Sequence, residues 1–149
     1  MKKIFLMIVI ACFNLSSCHA SDKEPKILLK NVSQINQSTL IIKFYSEEDY
    51  SMRNSSLESG SYVFCTSNQD ILNPSYTPNY DDKVVWLGMI PKDKSLPKDG
   101  NNFIYNVEVE RVRDKRTDIS KDLLCRVFKG SILIPLKKSQ LFSISTRVN

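Results

Sequence analysis

Phe103-Ile104-Tyr105-Asn106-Val107-Glu108-Val109-Glu110-Arg111-Val112 alternates with a period of two. Phe103, Tyr105, Val107 and Val109 fall on one side, and Asn106, Glu108 and Glu110 on the other. A helix would scatter these residues around its axis, whereas a strand sends successive side chains to opposite faces. The stretch is therefore read as a strand with one apolar and one wet face, the signature of an antiparallel sheet over a core. A charged turn over 113–117 and an apolar run over 123–128 follow, so the two runs are expected to pair as a hairpin.

The same grammar extends in both directions. Residues 27–32 and 39–45 are rich in β-branched and aromatic residues and are separated by a polar stretch, 33–38. In 60–66, Tyr62, Phe64 and Thr66 share one face, with Val63 and Cys65 on the other. Residues 84–90 are apolar on both faces around Trp86, which predicts a central, doubly covered strand stopped by Pro91. Runs at 132–136 and 141–148 complete the chain, and the only helix candidate is a weak turn over 46–50. About eight short strands at even spacing predict an all-β protein, a single antiparallel β-sandwich.

The amino-terminal residues carry a different signal. Lys2 and Lys3 precede an apolar run over 4–13, and Leu15-Ser16-Ser17-Cys18 ends it. That is the charged, apolar and small-residue order of a signal peptide, and the run is too short for a helix spanning about 20 apolar residues. Leu15-Ser16-Ser17-Cys18 resembles the bacterial lipobox. The resemblance implies cleavage before Cys18, acyl chains on that cysteine and, with His19 rather than Asp following it, sorting to the outer membrane facing the periplasm. Val9-Ile10-Ala11-Cys12 also fits the pattern but leaves a shorter apolar stretch, and cleavage after Ala20 would release a soluble secreted or periplasmic protein.

On this reading residues 1–17 are a signal peptide, 18–26 a lipidated tether and 27–149 one β-sandwich domain. Removing 1–17 leaves 132 of the 149 residues, enough for one self-sufficient core. Cys12 is discarded and Cys18 acylated, so Cys65 and Cys125 remain as a pair, expected to be one disulfide in an oxidising compartment. Two separate buried thiols are the alternative. The formal charge falls from +5 to +3 with the loss of Lys2 and Lys3, too little to argue for nucleic acid.

Catalytic signals are sparse. His19 is the only histidine, so the domain has no imidazole for a general base, a metal ligand or a triad. No metal-ligand spacing, nucleophile motif or phosphate-cradling loop occurs, and no cofactor, metal or catalytic residue is expected. The acidic clusters Glu47-Glu48-Asp49 and Asp81-Asp82 leave a carboxylate-dependent glycan hydrolase as a third reading. The long connection 73–80 holds two prolines and two tyrosines, so Tyr76 and Tyr80, with Asp81 and Asp82, are candidate partner contacts. Folding of the same tyrosines over an open end of the core is the competing account.

A lipobox, one small β-rich domain, a late cysteine pair and no catalytic apparatus together resemble the small periplasmic lipoproteins proposed as immunity proteins against type VI secretion effectors. The resemblance implies a protein partner, a toxin or effector, that is bound and blocked, with no enzymatic activity. A structural or accessory lipoprotein of a secretion system or pilus is the alternative, its sheet edge accepting a partner strand.

Overall fold

Residues 23–51, 60–78, 85–91, 96–112, 122–130 and 135–145 are described by the computed structural model. They form nine strands: β1 (Leu28–Asn36), β2 (Thr39–Ser46), β3 (Ser61–Thr66), β4 (Val85–Ile90), β5 (Lys98–Asp99), β6 (Asn102–Arg111), β7 (Leu123–Gly130), β8 (Pro135–Lys138) and β9 (Phe142–Ile144). One 3-10 turn, Gln69–Leu72, lies between β3 and β4. Among the described residues no helix is long and apolar enough to cross a membrane.

Every pairing is antiparallel, in the order β1-β2-β6-β4-β3-β7-β8, with β5 beside β6 and β9 beside β7. The sheet folds back on itself into two layers. Five strand spacings separate β2 from β9 along the sheet, roughly 24 Å if flat, yet the rings of Phe44 and Phe142 are 6.2 Å apart. The edges also approach each other, because the Gln140 backbone N–H donates to the Pro25 carbonyl at 2.8 Å.

The bend falls between β4 and β6. Pairing of β2 with β6 runs from Thr39 opposite Glu110 to Ser46 opposite Phe103, whereas β4 and β6 pair only at Trp86 opposite Arg111 and Leu87 opposite Glu110. At the next residue, Gly88, β4 presses against the β6 backbone. A Cβ there would lie 2.3 Å from the Glu108 carbonyl oxygen and 2.6 Å from Val109 Cγ1. Only glycine permits that approach.

The bend explains the burial pattern. Phe44, Tyr105, Val107, Val109, Trp86, Val63, Cys125 and Phe142 meet in one interior between the layers. The alternation of β6 is as its sequence predicts, with Tyr105, Val107 and Val109 buried and Asn106, Glu108 and Glu110 exposed. Strand β3 is buried on both faces: Val63 and Cys65 point to the interior, while Tyr62 and Phe64 join a second cluster with Ile71, Val85 and Phe128. Cys65 opposes Cys125 in the β3–β7 ladder, and the two form the expected disulfide.

Several sequence expectations need correction. Strands β6 and β7 do not form a hairpin, because both sides of β6 are taken, by β2 on one and by β5 and β4 on the other. Strand β7 lies beside β3 instead, in register with the disulfide. The polar stretch 33–38 is strand as far as Asn36, since an edge strand tolerates polar side chains facing water. The turn shrinks to Gln37 and Ser38, tightened by the Ser38 N–H donating to Asn36 Oδ1 at 2.8 Å. Residues 47–50 form no helix, and the charged turn at 113–117 lies outside the described residues. Strand β5 was not expected, although Asp99-Gly100-Asn101 is a hairpin signal and Gly100 takes a φ of 59°.

Two variants test this architecture. Gly88→Ala should destabilise by about 2–3 kcal/mol, as an overpacked site facing backbone must shift, and a fall in the urea midpoint at unchanged slope would register it. Cys65→Ala/Cys125→Ala should cost about 2–4 kcal/mol in urea unfolding, with a steeper slope, because a closed loop of 60 residues gains conformational freedom in the unfolded chain.

Candidate functional site

Two polar arrangements and one groove stand out from the scaffold. The first arrangement closes the end of the interior. Glu48, between β2 and β3, accepts hydrogen bonds from Lys129 Nζ at 3.2 Å and Lys137 Nζ at 2.8 Å, on the far layer. Lys129 also donates to the Asp49 carbonyl. The Tyr105 hydroxyl accepts from the Tyr50 N–H and donates to the Glu48 carbonyl. Tyr105 stacks on Phe44 with centroids 4.9 Å apart, and Tyr50 meets it edge-on at 5.9 Å. The segment 47–51 is thus a clasp joining the two layers. Burial works to raise the Glu48 pKa, but the hydrogen bonds and charges of Lys137 and Lys129 outweigh it and hold the carboxyl below its ordinary value. A carboxylate kept ionised in this way is unsuited to act as a general acid.

The second arrangement ties the start of the chain to the domain. Arg126 is buried on β7 and pairs with Glu24 at 3.1 Å, while Lys138 approaches the same carboxylate at 3.6 Å. With the Gln140 to Pro25 hydrogen bond, this holds the last residues of the stretch read as a tether against the sheet. A buried guanidinium needs a partner, and Glu24 supplies it. The sequence signal was available in outline, as an arginine within the otherwise apolar run 123–128, but its partner 102 positions away was not.

The groove lies on the outer side of the bend. It is open, holds about 560 Å³, and is lined by Leu87, Gly88 and Met89 of β4 and by Glu108, Glu110, Arg111 and Val112. Met89 and Val112 are 52% and 41% exposed, apolar side chains left uncovered in the described structure. The groove lies where ladder pairing of β4 with β6 ends after two residue pairs and the strands stay close only through Gly88, a consequence of tertiary bending that periodicity does not encode.

Of the residues singled out by sequence, Cys65 and Cys125 are joined and Trp86 is buried in the interior. Tyr76 is half-buried and packs on the second cluster, its ring centroid 6.3 Å from that of Phe64. Cys18, Tyr80, Asp81 and Asp82 lie outside the described residues. Among the described residues no group of three His, Cys, Asp or Glu side chains is placed to hold a metal ion. Compared with protein-family models, curated proteins and solved structures, the chain matches none.

The clasp makes stability depend on pH. The folded Glu48 pKa lies below the unfolded value, so between the two the unfolded chain binds more protons and stability rises with pH. The contribution is fully present above the ordinary value of 4.5 and is lost as pH falls through the lower folded value. Glu48→Gln should therefore lower stability near neutral pH by roughly 1 kcal/mol, a partly exposed pair being worth little more. Thermal melts should show the deficit at pH 7, a few degrees for a domain of this size, and its shrinking as pH is lowered below 4.5.

Proposed function

We propose that this chain is a lipid-anchored binding protein of the bacterial cell envelope that holds and inhibits a protein partner. Its specific form is an immunity protein neutralising a toxin delivered to the periplasm. The buried Cys65–Cys125 disulfide is the observation that supports the compartment, since such bonds persist where thiols are oxidised and are rare in the cytosol. Export of the chain by the leader at 1–17 and acylation of Cys18 are in keeping with it. Glu24, already held by Arg126, is six residues beyond Cys18. A lipid there would keep the domain within about 20 Å of the membrane, the reach of so short a segment.

A second reading, an accessory lipoprotein that takes up a partner strand, draws on β1. This edge strand is nine residues long and exposes Leu28, Leu29 and Ile35. Register shifts at Lys30 and Ile35 interrupt its ladder, however, and such irregularities blunt an edge against strand addition. Glycan hydrolysis is the third reading. Of its candidate acids, Glu48 is engaged by two lysines, and loss of a measured glycan turnover on Asp81→Asn would favour it.

Metabolic labelling with a palmitate analogue tests the anchor. The wild-type chain should take up label and Cys18→Ser should not, accumulating as precursor or unanchored protein; label persisting on Cys18→Ser would overturn the assignment. Affinity capture from envelope extract, read by mass spectrometry, tests the binding role and should return one dominant partner.

A further inference from the structure

The geometry points to the groove between β4 and β6 as the partner-binding site, its occupant an extended protein segment carrying basic side chains at alternate positions beside apolar ones. This rests on the binding-protein reading and gives it a place.

The two layers treat their outward faces differently. On the β4-β3-β7 layer the chain covers itself, with Ile71 of the 3-10 turn and Tyr76 packed over Phe64, Phe128 and Val85. At the seam with β6 that cover ends. Leu87 is half-buried, and Met89 and Val112 stand uncovered around the groove. Leu87, Met89 and Val112 thus give the groove an uncovered apolar lining beside its charged wall.

Charge selects the occupant. Glu108 and Glu110 stand on the wet face of β6 at the groove wall, and neither forms an ion pair with another described residue. Elsewhere in the described structure Glu24 and Glu48 are each held between two basic groups. Two carboxylates two residues apart on a strand repeat at about 6.8 Å. An extended segment with Lys or Arg at i and i+2 repeats at the same spacing, so both pairs form at once. Leu87, Met89 and Val112 then receive apolar atoms, including the aliphatic stems of the basic side chains. Arg111 also lines the groove and makes contacts of its own within the chain, and the two carboxylates leave the lining with a net negative charge.

The test uses the chain from residue 18 with Cys18→Ser, which retains every described contact and needs no lipid. The probe is the acetylated, amidated pentapeptide Leu-Arg-Leu-Arg-Leu, with Leu-Glu-Leu-Glu-Leu as its charge-reversed control. The proposal expects saturable binding of the arginine peptide alone, with methyl shifts confined to Leu87, Met89 and Val112. Glu108→Lys/Glu110→Lys should weaken binding at least tenfold while leaving the melting temperature unchanged, both positions being exposed. Met89→Ser should weaken it severalfold. Three results would overturn the proposal: no saturable binding, shifts centred elsewhere, or equal affinity for the glutamate peptide. So would a dimer in sedimentation that Glu108→Lys/Glu110→Lys dissociates, since the groove would then be a contact between copies. Failure here leaves envelope capture unaffected, and failure of that capture with success here would remove the partner but retain the site.

Discussion

The approach of β4 to the backbone of β6 at Gly88 is the contact on which the rest of the structure depends. Strands that paired along their full length would continue a gently twisted sheet, with one face of apolar side chains left to water. Pairing instead stops after Leu87, and the missing Cβ lets β4 press against the Glu108 carbonyl and the side chains of Val107 and Val109. The sheet turns there, and β9 comes back over β2. Phe44 meets Phe142 as a result, and one interior is shared by both layers.

Closure is then secured by groups that sequence separation keeps far apart. Glu48 reaches Lys129 and Lys137, and Tyr105 satisfies the backbone of the same loop from below. Glu24 compensates the buried Arg126, and the disulfide joins β3 to β7 at opposed positions. The ion pairs and hydrogen bonds tie the margin of the apolar interior, and the disulfide lies within it. Burial of the interior drives association of the layers, while the ties select this arrangement among other compact ones.

The bend also shapes the outer surface. It opens a groove on its outer side and leaves the neighbouring layer covered by the chain's own 3-10 turn and Tyr76. Sequence drew attention to tyrosines on a proline-rich connection, a composition suited to recognition. Tyr76 lies against Phe64 as part of the second cluster, in keeping with the competing account of the same residue. Glu108 and Glu110 looked like an ordinary wet face, and only the adjacency of Leu87, Met89 and Val112 gives them a candidate role.

Local pattern by itself determined the class of fold, the exposed and buried faces of β6, the central place of β4 and the pairing of the two late cysteines. It assigned full cover to β4, whose outer face is open at Met89, and not to β3, which is buried on both faces. The strand properties follow from a period of two, written residue by residue, and the cysteine pair was read on the expectation that Cys12 is removed and Cys18 acylated. Strand order was decided only in three dimensions. Neighbours in sequence suggested a β6–β7 hairpin, but the two edges of β6 were filled by β2, β4 and β5, and β7 was drawn to β3. Gly88 and Glu48 carry no local sign of what they do, and Arg126 shows only as an arginine within an apolar run. Their meaning lies in what the bend places opposite them, a backbone carbonyl, two lysines and a carboxylate, and such juxtapositions are set by the packing of distant segments rather than by any spacing along the chain.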